Sequence, residues 1–317
     1  MTYRSEFKDV LKETGKTTFW LLKIMIPISI IIKILVEYGI IEIIGKNLSS
    51  VMGVVGLPGE FGLVWATAML TNIYGGLVVF FNLSLFNTYT VAEVTVLGSM
   101  ILVAHTLPIE ARIAQKAGVR LWYTLSLRIS AAIILGFILN LLFTKFNLYQ
   151  TENVIFWKPG VINPTMTQWI LGELRNYLMI FLIILGLMLL MRILKNTGIL
   201  NKMNDFLKPG LEFLGMSKNA APIAIIGMTI GLAYGGGLIV KEAQSKIISK
   251  KDIFYSLSMM GLSHSLIEDT LLIFAIGGSL VGILLGRVVF TLIILILLIR
   301  AINLFSKKTF EKNFMNK

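Results

Sequence analysis

The chain contains two histidines, and each begins a short motif with the same order of chemical groups. A hydroxyl residue follows the histidine directly, and a carboxylate stands five residues after it. Imidazole can bind a ligand or exchange a proton near neutral pH, and carboxylates bind cations and hydrogen-bond donors. The two motifs therefore indicate one paired site. They are His105-Thr106-Leu107-Pro108-Ile109-Glu110 and His264-Ser265-Leu266-Ile267-Glu268-Asp269.

The two motifs belong to an internal repeat with an offset of 159 residues. The same offset aligns Arg128 with Arg287, and a local slip of one residue aligns Tyr74-Gly75-Gly76 with Tyr234-Gly235-Gly236. Matches spread over most of both halves indicate duplication of one unit. The predicted segments are an N-terminal segment 1–18, a first repeat 19–145, a linker 146–175, a second repeat 176–303 and a tail 304–317.

The composition requires a lipid bilayer as the main partner of the chain. Hydrophobic residues make up 56% of the sequence, whereas soluble domains have about 45–50% apolar residues. Nearly uncharged runs such as 129–143, 178–191 and 288–299 reach the roughly 20 residues of a membrane span once their flanks are added. The net charge of +12 is assigned to cytoplasmic loops, which collect Lys and Arg, and no nucleic-acid partner is predicted.

Charge placement predicts the topology of the four apolar stretches in each half. The bias of Lys and Arg toward the cytoplasm is satisfied if the second stretch of each half enters the membrane and returns. Most of the 29 Lys and Arg then lie in cytoplasmic segments, and the outer segments hold only Lys46 and Lys158. If these stretches were simple spans, the two halves would instead be parallel. The stretches are 17–43, 61–83, 94–118 and 121–145, then 176–194, 220–240, 253–275 and 280–303.

The predicted fold is therefore an all-α integral membrane protein with two inverted-topology repeats. Each repeat has three transmembrane helices and one re-entrant helical hairpin, with tips at Tyr74-Gly75-Gly76 and at 234–237. Pro108 removes a backbone donor, so a helix break is expected near residues 104–107. No proline stands at the matching position in the second half. Both termini are predicted to lie in the cytoplasm, and the expected location is the inner membrane of a bacterium or archaeon.

Ionisable residues inside these stretches cost roughly 2.5–3.5 kcal/mol or more each unless they are paired or hydrated. Two interpretations are consistent with them. Glu110–Arg128 and Asp269–Arg287 could be structural ion pairs, or the same groups could line a binding cavity between the halves. The candidate substrate- or ion-binding residues are His105, Thr106, Glu110, Arg128, His264, Ser265, Glu268, Asp269, Arg287, Asn72, Tyr74 and Tyr234.

No enzyme signature accompanies these residues. There is no phosphate-binding GxxxxGK[ST] loop and no HExxH zinc motif, and nothing places a nucleophile against either histidine. The sequence therefore predicts no enzyme activity, no cofactor and no metal site.

The tract from His264 to Leu272 resembles the Gate-domain, or nucleoside-recognition, membrane proteins, among them the bacterial YjiH type. Spore maturation proteins and concentrative nucleoside transporters are more distantly similar. The resemblance covers 20–145 and 178–303. It implies a transport-type fold with paired helical hairpins and, by the family label alone, a nucleoside-like solute.

The leading hypothesis is a secondary-active transporter of a small polar or anionic solute, with alternating access and a site between the repeats. Inverted repeats, broken helices and polar groups at the midplane are typical of such transporters. The alternatives are a non-transporting scaffold or envelope-assembly component, and a channel. A homo-oligomer is possible.

Overall fold

The computed structural model describes residues 3–84, 88–154, 165–213, 216–217, 220–231, 240–241 and 248–316, and nearly all of them are helical. Within these residues there is no β-sheet, and two isolated bridges join Thr90 to Glu152 and Val119 to Met315. The first-half helices are α1 (Tyr3–Glu37), α2 (Ile40–Val54), α3 (Phe61–Leu70), α4 (Ile73–Leu83), α5 (Val91–Val103), α6 (Leu107–Lys116) and α7 (Leu121–Lys145). The second-half helices are α8 (Met166–Asn196), α9 (Ile199–Phe213), α10 (Ala221–Ile230), α11 (Lys250–Leu262), α12 (Glu268–Ala275), α13 (Arg287–Asn303) and α14 (Lys307–Phe314).

Within the described residues, five helical segments are long and apolar enough to cross a membrane. The protein is therefore a multi-pass helical membrane protein, as its composition predicts. A sixth span was expected at 253–275, but the structure divides this stretch between the 13 residues of α11 and the 8 residues of α12. The five segments are Val10–Glu37, Val91–Lys116, Leu121–Lys145, Met166–Leu194 and Val281–Asn303.

Helices α1 and α8, the first of each half, run antiparallel against each other. Near one end, the Thr14 hydroxyl lies 3.2 Å from the Met188 sulfur. Near the other, the Ser29 hydroxyl donates to Glu173 at 2.6 Å. The contact partners thus move in opposite directions along the two helices.

Helices α3 and α4 form a hairpin whose turn is Thr71–Asn72. Asn72 caps α4, and its side chain accepts a hydrogen bond from the Gly75 backbone N–H at 2.9 Å. The predicted tip at Tyr74-Gly75-Gly76 is therefore wrong by a few residues, because these residues form the first turn of α4. Gly76 instead permits close packing, since a Cβ there would lie 2.8 Å from the Ala68 Cβ. The second predicted tip, 234–237, lies outside the described residues.

Both third stretches are broken at the histidines. Helix α5 ends at Val103 and α6 begins at Leu107, while α11 ends at Leu262 and α12 begins at Glu268. The expected break near Pro108 is confirmed, and Pro108 lies in the first turn of α6. No proline stands at the matching position of the second half, and the second break forms without one.

Each break is attached to the hairpin region of its own half by one backbone hydrogen bond. The Thr106 N–H donates to the Ala68 carbonyl of α3 at 2.9 Å. The Leu266 N–H donates to the Met228 carbonyl of α10 at 2.8 Å. These two bonds couple α3 and α10 directly to the backbone next to the two histidines.

The N-termini of α5 and α11, which occupy equivalent positions in the two halves, have different neighbours. The N-terminus of α5 meets the segment after α7, because the Val91 N–H donates to the Thr151 carbonyl at 3.0 Å. The N-terminus of α11 meets the C-terminal tail, because Lys250 pairs with Glu311 at 2.7 Å.

The tail also contacts the loop between α6 and α7. The Arg120 N–H donates to the Phe314 carbonyl at 2.9 Å, and the Asn316 N–H donates to the Gly118 carbonyl at 2.7 Å. Helix α14 therefore lies against elements of both halves.

The two halves also interlock inside the core. Gly98 of α5 faces Ile273 of α12, and a Cβ at Gly98 would lie 2.1 Å from the Ile273 side chain. Tyr123 of α7 and Ser258 of α11 share a hydrogen bond of 2.7 Å. The breaks are thus held between helices of both repeats.

We expect the Gly76→Leu variant to lower the apparent unfolding temperature, because its side chain would force α3 and α4 apart. Overpacking of this kind costs roughly 1–3 kcal/mol. The matched control is Gly186→Leu, since Gly186 is exposed in α8 and a Cβ added to it would meet no atom within 4 Å. The measurement is thermal unfolding of purified protein in detergent. Equal unfolding temperatures for the two variants would contradict the packing of the hairpin.

Candidate functional site

The two breaks have the same backbone conformation, and this sets the positions of the histidines. Ala104 and Ser263, the residues before the histidines, have φ of −135° and −148°. Thr106 and Ser265, the residues after them, have φ of 50° and 46°. A left-handed conformation is uncommon for residues other than glycine and often marks a functional site. His105 and His264 are thus held by backbone segments of the same conformation.

The Nδ1 atom of each imidazole is held by a backbone carbonyl. His105 Nδ1 lies 2.9 Å from the Ile101 carbonyl oxygen, and His264 Nδ1 lies 2.8 Å from that of Met260. A carbonyl oxygen can only accept, so Nδ1 carries the proton in both rings. A neutral imidazole with a protonated Nδ1 has a lone pair at Nε2.

The two Nε2 atoms face each other at 3.2 Å. Carboxylate oxygens surround them: Glu110 Oε1 lies 3.2 Å from His264 Nε2 and 3.8 Å from His105 Nε2. Asp269 Oδ2 lies 3.6 Å from His105 Nε2 and accepts no hydrogen bond from any described residue. When both rings are neutral, these four atoms all offer lone pairs to the same small space, and we call His105, His264, Glu110 and Asp269 the acceptor cluster.

Arg128 satisfies the backbone at the first break. Its Nε donates to the Val103 carbonyl at 2.8 Å and its Nη2 to the His105 carbonyl at 3.0 Å. Its Nη1 pairs with Glu110. The side chain is fully buried, so these bonds replace the water that a broken helix would otherwise need. The ion pair expected between Glu110 and Arg128 is present.

Arg287 makes fewer bonds at the second break. Its Nη2 donates to the His264 carbonyl at 3.2 Å, but Nε and Nη1 have no hydrogen-bond partner among the described residues. No pair with Asp269 within 4.0 Å is found in this part of the chain, so the ion pair expected there is wrong for this conformation. A π-helical turn, Val281–Gly286, directly precedes Arg287, and it offsets the side chain from the position that a regular α-helix would give.

The other candidates from the sequence lie around the acceptor cluster or away from it. Glu268 is the first residue of α12, and it interacts electrostatically with Tyr74, as Asp269 does. Tyr74 also lines a small cleft between α4, α8 and α12. Asn72 serves as the cap of α4 and has no described contact with the histidines. Tyr234 lies outside the described residues.

A second buried polar group, centred on Glu173, was not predicted from the sequence. The carboxylate of Glu173 accepts from Ser29 at 2.6 Å and from the Asn82 amide at 3.4 Å. Tyr177 donates to the Ser29 hydroxyl at 3.0 Å. The sequence signal for this group was Glu173 itself, a lone carboxylate a few residues before the uncharged run 178–191. The prediction assigned Glu173 to the linker 146–175 instead. The group holds α8 against α1 and α4.

Two comparisons with known proteins found a match, one over part of the second half and one over most of the chain. Residues 177–280 match the Gate family model, described as nucleoside recognition. This match includes His264 and Asp269 and leaves out the first half. The chain is also 28% identical over 281 residues to a protein of Bacillus subtilis (strain 168) named "Uncharacterized membrane protein YvoD", covering 86% of this chain and 87% of that protein. No solved structure matches the chain.

We expect Arg128→Met to destabilise the protein more than Arg287→Met does. The first change breaks a buried ion pair, which costs roughly 3–5 kcal/mol, and it also frees two carbonyls. The second frees one carbonyl, at about 1–3 kcal/mol. Each variant serves as the control of the other, because the two positions are repeat partners. The measurement is denaturant unfolding in mixed micelles, and equal losses would contradict the unequal bonding.

Proposed function

We propose that the protein is a secondary-active transporter that binds a small polar solute between its two repeats and exposes it to each side in turn. The observation that carries the proposal is the meeting of His105 and His264. They come from equivalent breaks in the two halves, and their Nε2 atoms are 3.2 Å apart. Broken helices that meet at a repeat interface are where such transporters bind their solutes.

Inverted topology of the repeats, 19–145 and 176–303, is supported by the directions of equivalent helices. Helices α1 and α8 are repeat partners and run antiparallel. The N-termini of α5 and α11 are also repeat partners, yet one meets Thr151 and the other meets Glu311. Units related by direct sequence repetition point in opposite directions only if one is turned over in the membrane.

The re-entrant hairpins are supported by the lengths of their helices. Helix α3 has 10 residues and α4 has 11, so each extends roughly 15–17 Å at 1.5 Å per residue. That is about half of the hydrocarbon core. In the second half, α10 is equally short and ends at Gly231, whose φ is 110°.

The orientation of the protein in the membrane is supported by the charges at the end of the molecule where the tail lies. Arg120, Lys250 and Lys251 lie beside the tail there, and Lys251 donates to Asn303 at 3.0 Å. Basic residues at one end favour the cytoplasm for that end. Both termini would then be cytoplasmic, and the bacterial origin of the similar protein supports a bacterial cytoplasmic membrane as the location. A homo-oligomer stays a prediction.

Alternating access is supported by the difference between the two halves. Arg128 is paired with its carboxylate, whereas Arg287 is not. In a protein with inverted repeats, exchanging the two repeat conformations turns an arrangement open to one side into the arrangement open to the other. The unequal halves are what one of these two states requires.

The solute class is restricted by the acceptor cluster. Four lone-pair donors favour a solute with hydrogen-bond donors or positive charge, and they disfavour the anionic solute among the sequence expectations. Nucleoside hydroxyl and amino groups would be compatible with such a site. That choice is supported only by the description of the Gate family.

A scaffold without transport is the second candidate, and the Glu110–Arg128 pair favours it. A buried ion pair that satisfies two carbonyls accounts for its own presence in a membrane helix. A channel is the third possibility. Labelling of one engineered cysteine separates the three, because the chain has no cysteine of its own.

The Ser265→Cys variant replaces one oxygen atom of the natural side chain by sulfur. We expect its thiol to react with membrane-impermeant reagents from either side of the membrane. In a transporter, a condition that raises labelling from one side lowers it from the other. The measurement is labelling of inside-out and right-side-out vesicles. Protection by nucleosides or by metal salts is tested in the same assay.

Two exposed positions supply the sidedness controls. Lys308→Cys in the tail should react only from the cytoplasmic side, and Thr151→Cys only from the outside. A Ser265→Cys protein that reacts from neither side would favour the scaffold. One that reacts from both sides at once, with no exchange between them, would favour the channel.

A further inference from the structure

We infer that His105, His264 and Asp269 form a binding site for a divalent transition-metal cation, with Glu110 at its edge. Their ligand atoms lie within 4.8 Å of one another, and all three residues are buried. No resident metal was expected from the sequence, because the ligands come from helix breaks 159 residues apart and match no local metal motif. As a transported cargo, the ion rests on the proposed function, whereas its binding does not.

The first argument is the orientation of the imidazoles. Both Nδ1–H groups donate to carbonyls one helical turn earlier, which directs both Nε2 lone pairs inward. This is the arrangement of metal-binding histidines, whose second nitrogen is held by a carbonyl or carboxylate. Two lone pairs at 3.2 Å repel each other unless a positive centre lies between them.

The second argument is distance. For a metal about 2.0–2.1 Å from each ligand, tetrahedral geometry places neighbouring ligand atoms roughly 3.3–3.4 Å apart. The two Nε2 atoms are 3.2 Å apart, and Asp269 Oδ2 is 3.6 Å from His105 Nε2. The third pair, His264 and Asp269, lies within 4.8 Å, so a rotation that brings Asp269 toward His264 would close three ligands around one ion.

The third argument is the unused carboxylate. Asp269 is 8% exposed, and its Oδ2 has no hydrogen-bond partner among the described residues. A buried carboxylate oxygen without a partner is costly. Its neighbour Arg287 forms no pair with it within 4.0 Å among the described residues, so the Asp269 oxygen remains available to an ion.

The charge and the ligand types restrict the ion. Three carboxyl groups, those of Glu110, Glu268 and Asp269, lie in and beside the site together with two guanidinium groups, so the fully ionised site has one excess negative charge. Imidazole nitrogen favours Zn²⁺, Cu²⁺, Fe²⁺ or Ni²⁺ over Mg²⁺ or Ca²⁺, which prefer oxygen ligands. Arg128 pairs with Oε2 of Glu110, which leaves Oε1 as one candidate for the fourth position. Water or a solute could take that position instead.

The experiment uses the full chain, purified in detergent with a tag that contains no histidine. Binding of Zn²⁺ is measured by titration calorimetry, and Co²⁺ is used as a spectroscopic probe of nitrogen and oxygen ligands. We expect one ion per chain. His264→Gln and Asp269→Asn should each weaken Zn²⁺ binding by at least about 10-fold, a typical lower bound for disturbing a metal site.

The matched control is Glu173→Gln, an equally buried carboxylate outside the acceptor cluster, which should bind Zn²⁺ as the natural protein does. X-ray absorption of the Zn²⁺-loaded natural protein provides a measurement that needs no variant. It should show two imidazole ligands. Absence of stoichiometric binding, or a bound ion with no imidazole ligand, would overturn the inference.

Failure of this inference is distinguishable from failure of the transport proposal. If Ser265→Cys shows exchange between the two sides but the natural protein binds no metal, the protein is a transporter of another solute, and the facing imidazoles share a proton. If metal binds through two imidazoles but Ser265→Cys is never labelled, the site is a structural metal centre.

Discussion

Breaking a helix inside a membrane releases backbone carbonyls that no water can satisfy, and the rest of this structure depends on how that need is met. Arg128 and Arg287 enter from the following helices and donate to the carbonyls of His105 and His264. Because each guanidinium binds the backbone of the residue that carries an imidazole, the depth and direction of the two rings are fixed together. The arginines thus act on the backbone, while the imidazoles are left free to face each other.

The repeat and the membrane class could be predicted from the sequence because both follow from composition and periodic matches. Charge placement led to the prediction of an inverted second half, because Lys and Arg collect on the cytoplasmic side, and the antiparallel run of α1 and α8 is consistent with that prediction. The break at Pro108 was predictable from the missing backbone donor. The break at His264 was not, because no single residue type requires a left-handed Ser265. Its shape depends on the Met228 carbonyl of a distant helix.

The sequence predicted most residues of the candidate site, but it did not predict how these residues interact. Residue types predicted an interaction between Asp269 and Arg287, but distance decides that interaction, and the π-helical turn before Arg287 changes the distance. The direction of the imidazoles depends on carbonyls of Ile101 and Met260, which every helix offers and no motif reveals. The cap at Asn72 could have been recognised, since an Asn directly before an apolar helix is a common start signal. The glycines that follow it are a more conspicuous turn signal, and they placed the predicted tip too late.

The C-terminal tail has a mechanical consequence. Helix α14 and the residues that follow it bond to Gly118 and Arg120 in the first half and to Lys250 in the second. The tail therefore acts as a strap across the seam between the two halves at one end of the molecule. Any motion that separates the halves at that end must first break these bonds. The tail makes no described bond at the opposite end. The tail therefore adds a restraint on separation of the halves at the end where Arg120 and Lys250 lie.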